Sequence, residues 1–340
     1  MTMTTTLLGD GLEVSTQGFG CMALSHVYGG VDPASALRTL RHALDIGVTF
    51  LDTADVYGEP RPGTTGPAGT NEELVGRAIH GRRDEVQLAT KFGITGAVGE
   101  GVATRGDREY VRSACEASLR RLGVDHIDLY YLHRRELDRP ITETVAAMAE
   151  LVAEGKVRHL GVSEVTAGEL REACDVHPIA AVQSEWSLWS RDVERGVVPA
   201  AIERGVGFVP YSPLGRGFLT GAMTREKAAS GILAEHPRFT EHFEANQAVV
   251  DLLREIAGAR GASPAQVALA WLYHRGSVLG IPVVPIPGTR SVDRLTENAG
   301  AVGLRLDDAE VTRLDAAAEL VHGGRNFAFA PDDWISAGRE

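Results

Sequence analysis

Four polar side chains of this sequence stand at or just past the ends of short apolar runs. Asp52 ends the run FLD and is followed by Tyr57, Lys91 ends LATK, and His133 ends LYYLH. Such positions are unusual, because strand interiors favour Val, Ile and aromatic residues over ionisable ones. A carboxylate, a phenol, an ammonium and an imidazole in one place form a proton-transfer set. The pattern therefore predicts an acid–base site built from strand ends.

The four residue types indicate how a proton would move. A free tyrosine has a pKa of about 10, and a neighbouring ammonium lowers it by favouring the phenolate. We therefore predict that Asp52 holds Lys91 in its charged form, that Lys91 lowers the pKa of Tyr57, and that Tyr57 is the general acid. His133 is predicted to position the substrate oxygen by hydrogen bonding. The natural reaction is protonation of a carbonyl oxygen while another group attacks its carbon.

Each of these residues, taken alone, also has a simpler interpretation. Asp52 fits a helix N-cap or a turn, and Tyr57 fits a half-buried packing position. Lys91 fits a solvated strand tip or the partner of a nearby carboxylate, and His133 fits a cap on a strand carbonyl. The functional interpretation therefore depends on the four residues sharing one place in the fold.

Short β-like runs alternate with helical runs, which predicts repeated βα units around a parallel sheet. Eight such units in about 300 residues match a (β/α)8 TIM barrel, whose active sites lie at the C-terminal ends of its strands. A doubly wound sheet is the alternative, but the GFG at 18–20 lacks the spacing of its Gly-rich turn. The predicted strands cover residues 17–22, 48–52, 85–91, 127–133, 157–163, 180–184, 207–211 and 283–287, and the predicted helices cover residues 33–46, 71–79, 108–122, 141–154, 167–176, 193–204, 245–260, 264–275 and 291–299.

Further segments surround this predicted barrel, and we treat residues 1–340 as a single barrel domain. Capping residues mark helix starts: Asp32, Ser263 and either Thr70 or Asn71. The segments outside the regular units are an antiparallel hairpin at 7–14 with a Gly-Asp turn, a Pro/Gly-rich loop at 59–70, a long insertion at 212–244, a helix at 307–320 and an irregular tail at 321–340; the barrel itself spans 17–301, and the C-terminal helix and tail together span 305–340.

Composition excludes several function classes. The chain has 340 residues, 44% of them hydrophobic, and a formal net charge of −12, which disfavours binding to nucleic acid phosphates. Its three cysteines show no metal-ligand spacing, so no metal site is predicted, and free thiols fit a reducing compartment. No signal peptide and no membrane span is evident. We therefore expect a cytoplasmic protein with no nucleic acid or membrane partner, and the sequence leaves its oligomeric state open.

Several later segments carry motifs that agree with this site. They are GVS at 161–163, VQSE at 182–185, YSPLGRG at 211–217, PIPGTR at 285–290 and EN at 297–298. Together with the four polar residues in order on successive strands, they make residues 17–301 resemble the aldo-keto reductases, as a member of bacterial type. The resemblance implies a TIM barrel and an NADP-dependent oxidoreductase that reduces an aldehyde or ketone to an alcohol, reversibly.

The resemblance also implies where NADP(H) binds across the barrel mouth. Tyr211 would stack on the nicotinamide ring, whereas Ser163 and Gln183 would hold its carboxamide. The segment 212–217 would wrap the pyrophosphate, and the segment from 288 onward would bind the adenosine. The implied cofactor residues are Cys21, Met22, Asp52, Ser163, Gln183, Tyr211, Ser212, Pro213, Leu214, Arg216, Gly217, Ile286, Gly288, Thr289, Arg290, Arg294, Glu297 and Asn298.

Within this set, Arg290 and Arg294 would meet the adenosine 2′-phosphate, and Glu297 and Asn298 would bind adenine. No acidic residue stands at 288–291 to hold a free ribose 2′-hydroxyl, so NADP is favoured over NAD. The two arginines also fit an exposed helix face. In the same way, Tyr211 fits a packing position, and Cys21 and Met22 fit space-filling ones.

Pocket walls and departures from the family pattern complete the expectations. The substrate, a small carbonyl compound, would meet Tyr28, Arg134 and Trp186. Glu164 stands where many members have asparagine, and a negative side chain beside the nicotinamide is unexpected, so one interpretation is that it faces elsewhere. The insertion at 59–68 would form a lid or a partner contact.

Three hypotheses follow from these residues. The leading one is a carbonyl reductase, because the set of four polar residues is intact. The second is a cofactor-binding regulatory or sensor subunit with little turnover, which needs only the cofactor residues. The third is a barrel lyase with Lys91 as a Schiff base, which leaves the Tyr211 segment and Arg290 unexplained.

Overall fold

A parallel sheet of seven strands forms the centre of the protein, and each strand pairs with its neighbours in sequence order. The computed structural model describes residues 3–25, 30–59, 66–96, 103–328 and 330–340. A two-stranded antiparallel hairpin precedes this sheet. The hairpin strands are β1 (Thr5–Leu7) and β2 (Glu13–Ser15), and the parallel strands are β3 (Phe19–Gly20), β4 (Phe50–Asp52), β5 (Gln87–Phe92), β6 (Ile127–Leu132), β7 (Val157–Ser163), β8 (Ile179–Glu185) and β9 (Gly207–Tyr211).

The segment 282–286 closes this sheet into a barrel. The N–H of Phe208 in β9 donates to the carbonyl of Pro282 (2.9 Å). On the other side, the N–H of Gly18, at the entry to β3, donates to the carbonyl of Pro285 (2.9 Å). The closing segment therefore joins the last strand to the first, and the predicted TIM barrel is confirmed.

Prolines explain why the closing segment is not a full strand. We predicted a strand over 283–287, but among the described residues only the bridge between Phe208 and Val283 has strand geometry there. Residues 282–287 hold three prolines, which have no N–H to donate, so a continuous ladder cannot form. Close backbone approach completes the seam, because a Cβ on Gly288 would lie 2.7 Å from the carbonyl oxygen of Gly20.

Helices connect the strands, and local sequence explains where they begin and end. Asp32 caps the first helix as predicted. The helix predicted over 108–122 has those bounds. The helix predicted over 71–79 begins instead at Thr70, with the left-handed Gly69 in the N-cap position, so the predicted Thr or Asn cap is wrong. The helices are α1 (Pro33–Asp45), α2 (Thr70–Ile79), α3 (Arg108–Leu122), α4 (Ile141–Ala153), α5 (Ala167–Val176), α6 (Val197–Arg204), α7 (Arg225–Ala228), α8 (Phe243–Arg260), α9 (Pro264–Leu279), α10 (Val292–Ala299) and α11 (Asp308–Ala318).

The predicted hairpin is confirmed, and it covers the N-terminal end of the barrel. Its strands pair Leu7 with Glu13, and a short 3-10 turn at Gly9–Gly11 connects them. Leu8 is buried. A Cβ on Gly9 would lie 2.7 Å from the carbonyl oxygen of Gly205, just before β9. The hairpin therefore leaves the opposite end, where the parallel strands finish, uncovered.

Three further expectations concern membrane-spanning helices, the cysteines and the C-terminal tail. Across the described ranges, no helix is long and apolar enough to cross a membrane. Cys21, Cys115 and Cys174 are free thiols, and the first two are buried. The predicted irregular tail contains two short 3-10 turns, Asp332–Trp334 and Ser336–Gly338.

Candidate active site

The four predicted catalytic residues meet at the C-terminal ends of adjacent strands. Asp52 is the last residue of β4, Lys91 is the penultimate residue of β5, and His133 directly follows β6. Tyr57 lies in the loop that follows β4. Because the ends of parallel strands share one edge, the order of the strands itself brings these side chains within reach of one another.

A buried ion pair between Lys91 and Asp52 forms the base of the site. The side chain of Lys91 is fully buried, and that of Asp52 is 3% exposed. The ammonium donates to Oδ1 of Asp52 and to the carbonyl of Thr53 (2.9 Å), and Nε2 of Gln183 donates to Oδ2 (2.9 Å). Burial alone would lower the pKa of Lys91, but Asp52 and Tyr57 outweigh it and raise that pKa. Lys91 is therefore charged at neutral pH.

Tyr57 places its phenol beside this cation and beside His133. Nζ of Lys91 lies 5.2 Å from the centroid of the Tyr57 ring, and the rings of Tyr57 and His133 meet edge to face, 5.7 Å apart. Burial is the largest influence on the pKa of Tyr57 and raises it, whereas Lys91 and Arg134 lower it. Lys91 therefore lowers this pKa as predicted, but the net pKa lies above its ordinary value, because removal of the phenol from water outweighs the nearby cations.

His133 is a neutral imidazole. Its side chain is largely buried, and its N–H on the backbone donates to the carbonyl of Phe92 (2.7 Å). Burial lowers the pKa of His133 well below its usual range, and the charges of Arg134 and Lys91 lower it further. Nδ1 is buried and has no hydrogen-bond partner among the described residues. A neutral imidazole keeps one N–H, which can donate to a substrate oxygen.

The predicted carboxamide partners lie on the next two strands of the same edge. Ser163 ends β7, and Gln183 lies in β8, with both side chains buried. Gln183 contacts the carboxylate of Asp52, and Nη1 of Arg134 donates to Oγ of Ser163 (3.3 Å). Tyr211 ends β9 and is half-buried. The residues predicted to hold the nicotinamide therefore border the predicted catalytic residues.

The loop after β9 contains a run of left-handed backbone. Ser212, Gly215, Arg216 and Gly217 have φ angles of 48°, 56°, 53° and 95°. Left-handed residues next to right-handed ones turn successive N–H groups toward one side and form concave sites for anions. The loop is therefore suited to a phosphate group.

The remaining predicted cofactor residues divide by exposure. Arg290 and Arg294 are exposed at the start of α10, where a phosphate can reach them. Cys21 is fully buried, its Sγ lies 3.6 Å from the carbonyl of Phe19, and burial raises the pKa of the thiol. Among the others, Gly288 is exposed, Met22 and Glu297 are half-buried, and Pro213, Leu214, Ile286, Thr289 and Asn298 are buried.

Comparison with known proteins identifies the family. The model of the aldo/keto reductase family matches residues 17–319. The chain belongs to this family. It is 42% identical over 324 residues to a protein named probable aldo-keto reductase 1 of Glycine max, a match that covers 94% of this chain and 90% of that protein.

Solved structures agree with this family. The holo form of an aldo-keto reductase from Bacillus halodurans is 30% identical, with a TM-score of 0.74, and the match covers 96% of this chain and 99% of that one. The glycerol dehydrogenase from Gluconobacter oxydans is 29% identical, with a TM-score of 0.80, and the match covers 94% and 97% of the two chains. Family membership makes the protein an oxidoreductase of carbonyl compounds with a nicotinamide nucleotide as cofactor.

The aldo-keto reductase site fits such a nucleotide. The left-handed loop at 212–217 would hold the diphosphate, and the exposed Arg290 and Arg294 would hold a further phosphate. Ser163 and Gln183 have polar groups at the strand ends for the carboxamide. The bound nucleotide would therefore extend from the catalytic residues to the start of α10.

The predicted substrate-pocket residues have different outcomes. Arg134 lies at the site, with its guanidinium 5.3 Å from the ring centroid of Trp334 in the tail. The structure does not bring Trp186 to the site. Its side chain is fully buried in the core, where its ring packs edge to face on that of Phe208, with the ring centroids 5.0 Å apart. Tyr28 lies outside the described residues.

Glu164 faces elsewhere, in line with one of the interpretations of its departure from the family pattern. It binds Arg325 and Ser336 of the tail and the hydroxyl of Tyr211. Sequence reasoning missed Arg325, which stands 161 residues away from its partner and carries no local signal of a role.

Proposed function

We propose that the protein reduces an aldehyde or ketone to an alcohol with NADPH, and catalyses the reverse oxidation, with Tyr57 as the proton donor. The observation that supports this most directly is the position of the Tyr57 phenol between a buried Lys91–Asp52 pair and a neutral His133. When bound, the nicotinamide nucleotide supplies the hydride for the carbonyl carbon.

The proton comes from Tyr57. Burial keeps its pKa above the ordinary value, so the hydroxyl is protonated at neutral pH and can act as an acid. As the proton leaves, the Lys91 ammonium stabilises the phenolate oxygen. Asp52 maintains the charge of Lys91 in a site where burial alone would remove it.

His133 orients the substrate. Its neutral ring lies against Tyr57, so its N–H and the phenol can both donate to one carbonyl oxygen. Two donors at one oxygen stabilise the negative charge that develops there as the hydride arrives. A protonated imidazole would compete with Tyr57 as the acid, and the low pKa of His133 excludes that form at neutral pH.

Two observations support the cofactor choice and the reversibility. Arg290 and Arg294 are exposed together at the start of α10, where a guanidinium pair complements the 2′-phosphate of NADP. The solved relative from Gluconobacter oxydans is named a glycerol dehydrogenase, which supports the oxidative direction. The carbonyl compound itself is proposed only as a small aldehyde or ketone.

Replacement of Tyr57 by phenylalanine tests the mechanism. We expect Tyr57→Phe to lower kcat for a panel of aldehydes and ketones by about 10²–10⁴-fold, because the general acid is lost. The Kd for NADPH should stay within about twofold, since the hydroxyl is not among the proposed cofactor contacts. Tyr110→Phe is the matched control, because Tyr110 lies on α3 and its buried hydroxyl has no partner in the described chain.

The outcomes separate the hypotheses. Undiminished turnover by Tyr57→Phe would contradict the proton-donor role. Tight NADPH binding by the wild-type protein with negligible turnover across the whole panel would support the sensor subunit instead.

A further inference from the structure

Glu164 turns its side chain away from the barrel mouth and into the protein. It directly follows β7, has a φ angle of 50°, and its side chain has no exposed surface. A residue other than glycine rarely adopts this left-handed conformation, and it persists only where surrounding contacts hold it. The contacts of Glu164 must therefore hold it in this conformation.

The carboxylate of Glu164 is saturated with donors. Oε1 accepts from Nη1 of Arg325 (2.8 Å), from the hydroxyl of Tyr211 (2.8 Å), and from the N–H of Glu185 (3.3 Å). Oε2 accepts from Nη2 of Arg325 (3.1 Å) and from the N–H and hydroxyl of Ser336 (2.9 and 3.0 Å). Burial alone would raise the pKa of Glu164, but Arg325 outweighs it and holds that pKa far below its usual range.

The same contacts fasten the irregular C-terminal tail, of which the structure describes residues 321–328 and 330–340. Arg325 is almost fully buried and also pairs with Asp192 (2.9 Å). Arg339 donates to the backbone carbonyl of Glu164 (2.6 Å) and to the carboxylate of Glu169 (3.0 Å). The C-terminal tail is thus bound to the ends of the strands that border the catalytic residues.

Tyr211 connects the C-terminal tail to the cofactor site. Its hydroxyl donates to Glu164, and Nη1 of Arg325 lies 3.5 Å from the same hydroxyl. The direction of the Glu164 carboxylate is in turn set by the bidentate guanidinium and by Ser336. The orientation of the Tyr211 ring therefore depends on residues more than 100 positions later in the chain.

We propose that Glu164 and Arg325 are positioning residues that hold the Tyr211 ring for the nicotinamide, so that the C-terminal tail forms part of the cofactor site. The inference rests on the proposed function, because it takes Tyr211 as the stacking ring. A ring that is held in place before binding loses less freedom when the nicotinamide stacks on it. Loss of the ion pair should therefore weaken the nicotinamide contact and leave the phosphate contacts intact.

A pair of ligands separates this role from simple stabilisation of the fold. NADPH carries the nicotinamide, and 2′-phospho-ADP-ribose is the same nucleotide without that ring. We expect Glu164→Gln/Arg325→Gln to raise the Kd of NADPH by roughly tenfold, as for loss of a hydrogen bond to a charged group, with the Kd of 2′-phospho-ADP-ribose unchanged within about twofold. Isothermal titration calorimetry measures both constants without turnover.

Two further variants keep the test decisive. Glu169→Gln is the matched control, because it weakens the contact of Arg339 in the C-terminal tail with α5 but leaves the Glu164 carboxylate and its hydrogen bond to Tyr211 in place, so both Kd values should be unchanged. Tyr211→Phe removes only the hydroxyl, and it should raise the Kd of NADPH alone, by about threefold. If the melting temperature of the double variant shows that it is not folded, Tyr211→Phe alone tests the proposal.

Three results would overturn the proposal. One is an unchanged Kd of NADPH in both the double variant and Tyr211→Phe. Another is an equal loss of affinity for both ligands, which would show that the pair only stabilises the fold. If the wild-type protein binds 2′-phospho-ADP-ribose and NADPH with no difference, Tyr211 does not meet the nicotinamide; if it binds neither, the proposed function itself is refuted.

Discussion

Asparagine in place of Asp52 removes the charge that faces Lys91 and keeps the shape of the side chain. The contact with Gln183 survives, since an amide oxygen can still accept from Nε2. Lys91 is then left as a fully buried ammonium with the carbonyl of Thr53 and Tyr57 as its remaining partners. With its oxygen toward Gln183, the asparagine turns its N–H₂ toward the ammonium, so the substitution removes both the charge and the acceptor that face Lys91.

The size and sign of the effect follow from burial. Removal of one partner of a buried ion pair costs about 3–5 kcal/mol of unfolding free energy at neutral pH. In the wild type the pKa of Lys91 is raised, so its stabilisation is complete below the unfolded value of about 10.4 and is lost only above it. In Asp52→Asn burial dominates and the pKa of Lys91 falls below that value. The unfolded state then binds more protons, so stability increases with pH by at most about 1.4 kcal/mol per unit.

Urea unfolding followed by circular dichroism at about pH 6.5 and about pH 9 measures this dependence. We expect Asp52→Asn to be clearly less stable than the wild type at the lower pH and to recover part of the difference at the higher one. The double variant Asp52→Asn/Lys91→Met should regain most of the loss, because no unpaired charge remains. Equal stability of the wild type and the single variant at both pH values would contradict this prediction. A double variant that is less stable than the single variant would contradict it as well.

Two other predictions concern the arginines of the site. Arg134 lowers the pKa of Tyr57, so Arg134→Met should move the alkaline limb of the kcat profile for carbonyl reduction upward by as much as about one pH unit; a limb that stays in place or moves downward would contradict this. Arg294→Ala should raise the Kd of NADPH roughly tenfold and leave that of NADH unchanged, as measured by calorimetry. The control is Arg41→Ala, because Arg41 is an exposed arginine of α1. An equal loss of affinity for the two nucleotides would argue against a 2′-phosphate contact.

Features that depend on neighbouring residues were predictable from the sequence. The helix over 108–122 ends at a glycine in the left-handed conformation, which is a local stop signal. The strands over 157–163 and 207–211 have the predicted bounds, because their apolar runs are bracketed by turn residues. The meeting of Asp52, Lys91 and His133 followed from the order of the strands alone.

Features that depend on distant partners or on a balance of opposing effects were not predictable. The direction in which the side chain of Glu164 points is set by Arg325, which is far away in the chain. The residue after β8, Trp186, gave no sign of whether it would face the mouth or the core. The pKa of Tyr57 depends on how completely the fold removes it from water, and a list of charged neighbours lacks that quantity. The prolines of the closing segment are evident in the sequence, but the strand predicted over 283–287 did not account for the N–H groups that they lack.

The way the barrel closes has a consequence for how the chain folds. Every parallel strand after β3 pairs with the one made just before it, so the first seven units can assemble in order as the chain grows. Closure has to wait for the segment at 282–286, which is the only part of the described chain that joins β9 to the entry of β3. Until then the sheet has two open edges, at β3 and at β9. The edge at β3 is only two residues long, so this side offers other chains little backbone for mispairing before closure.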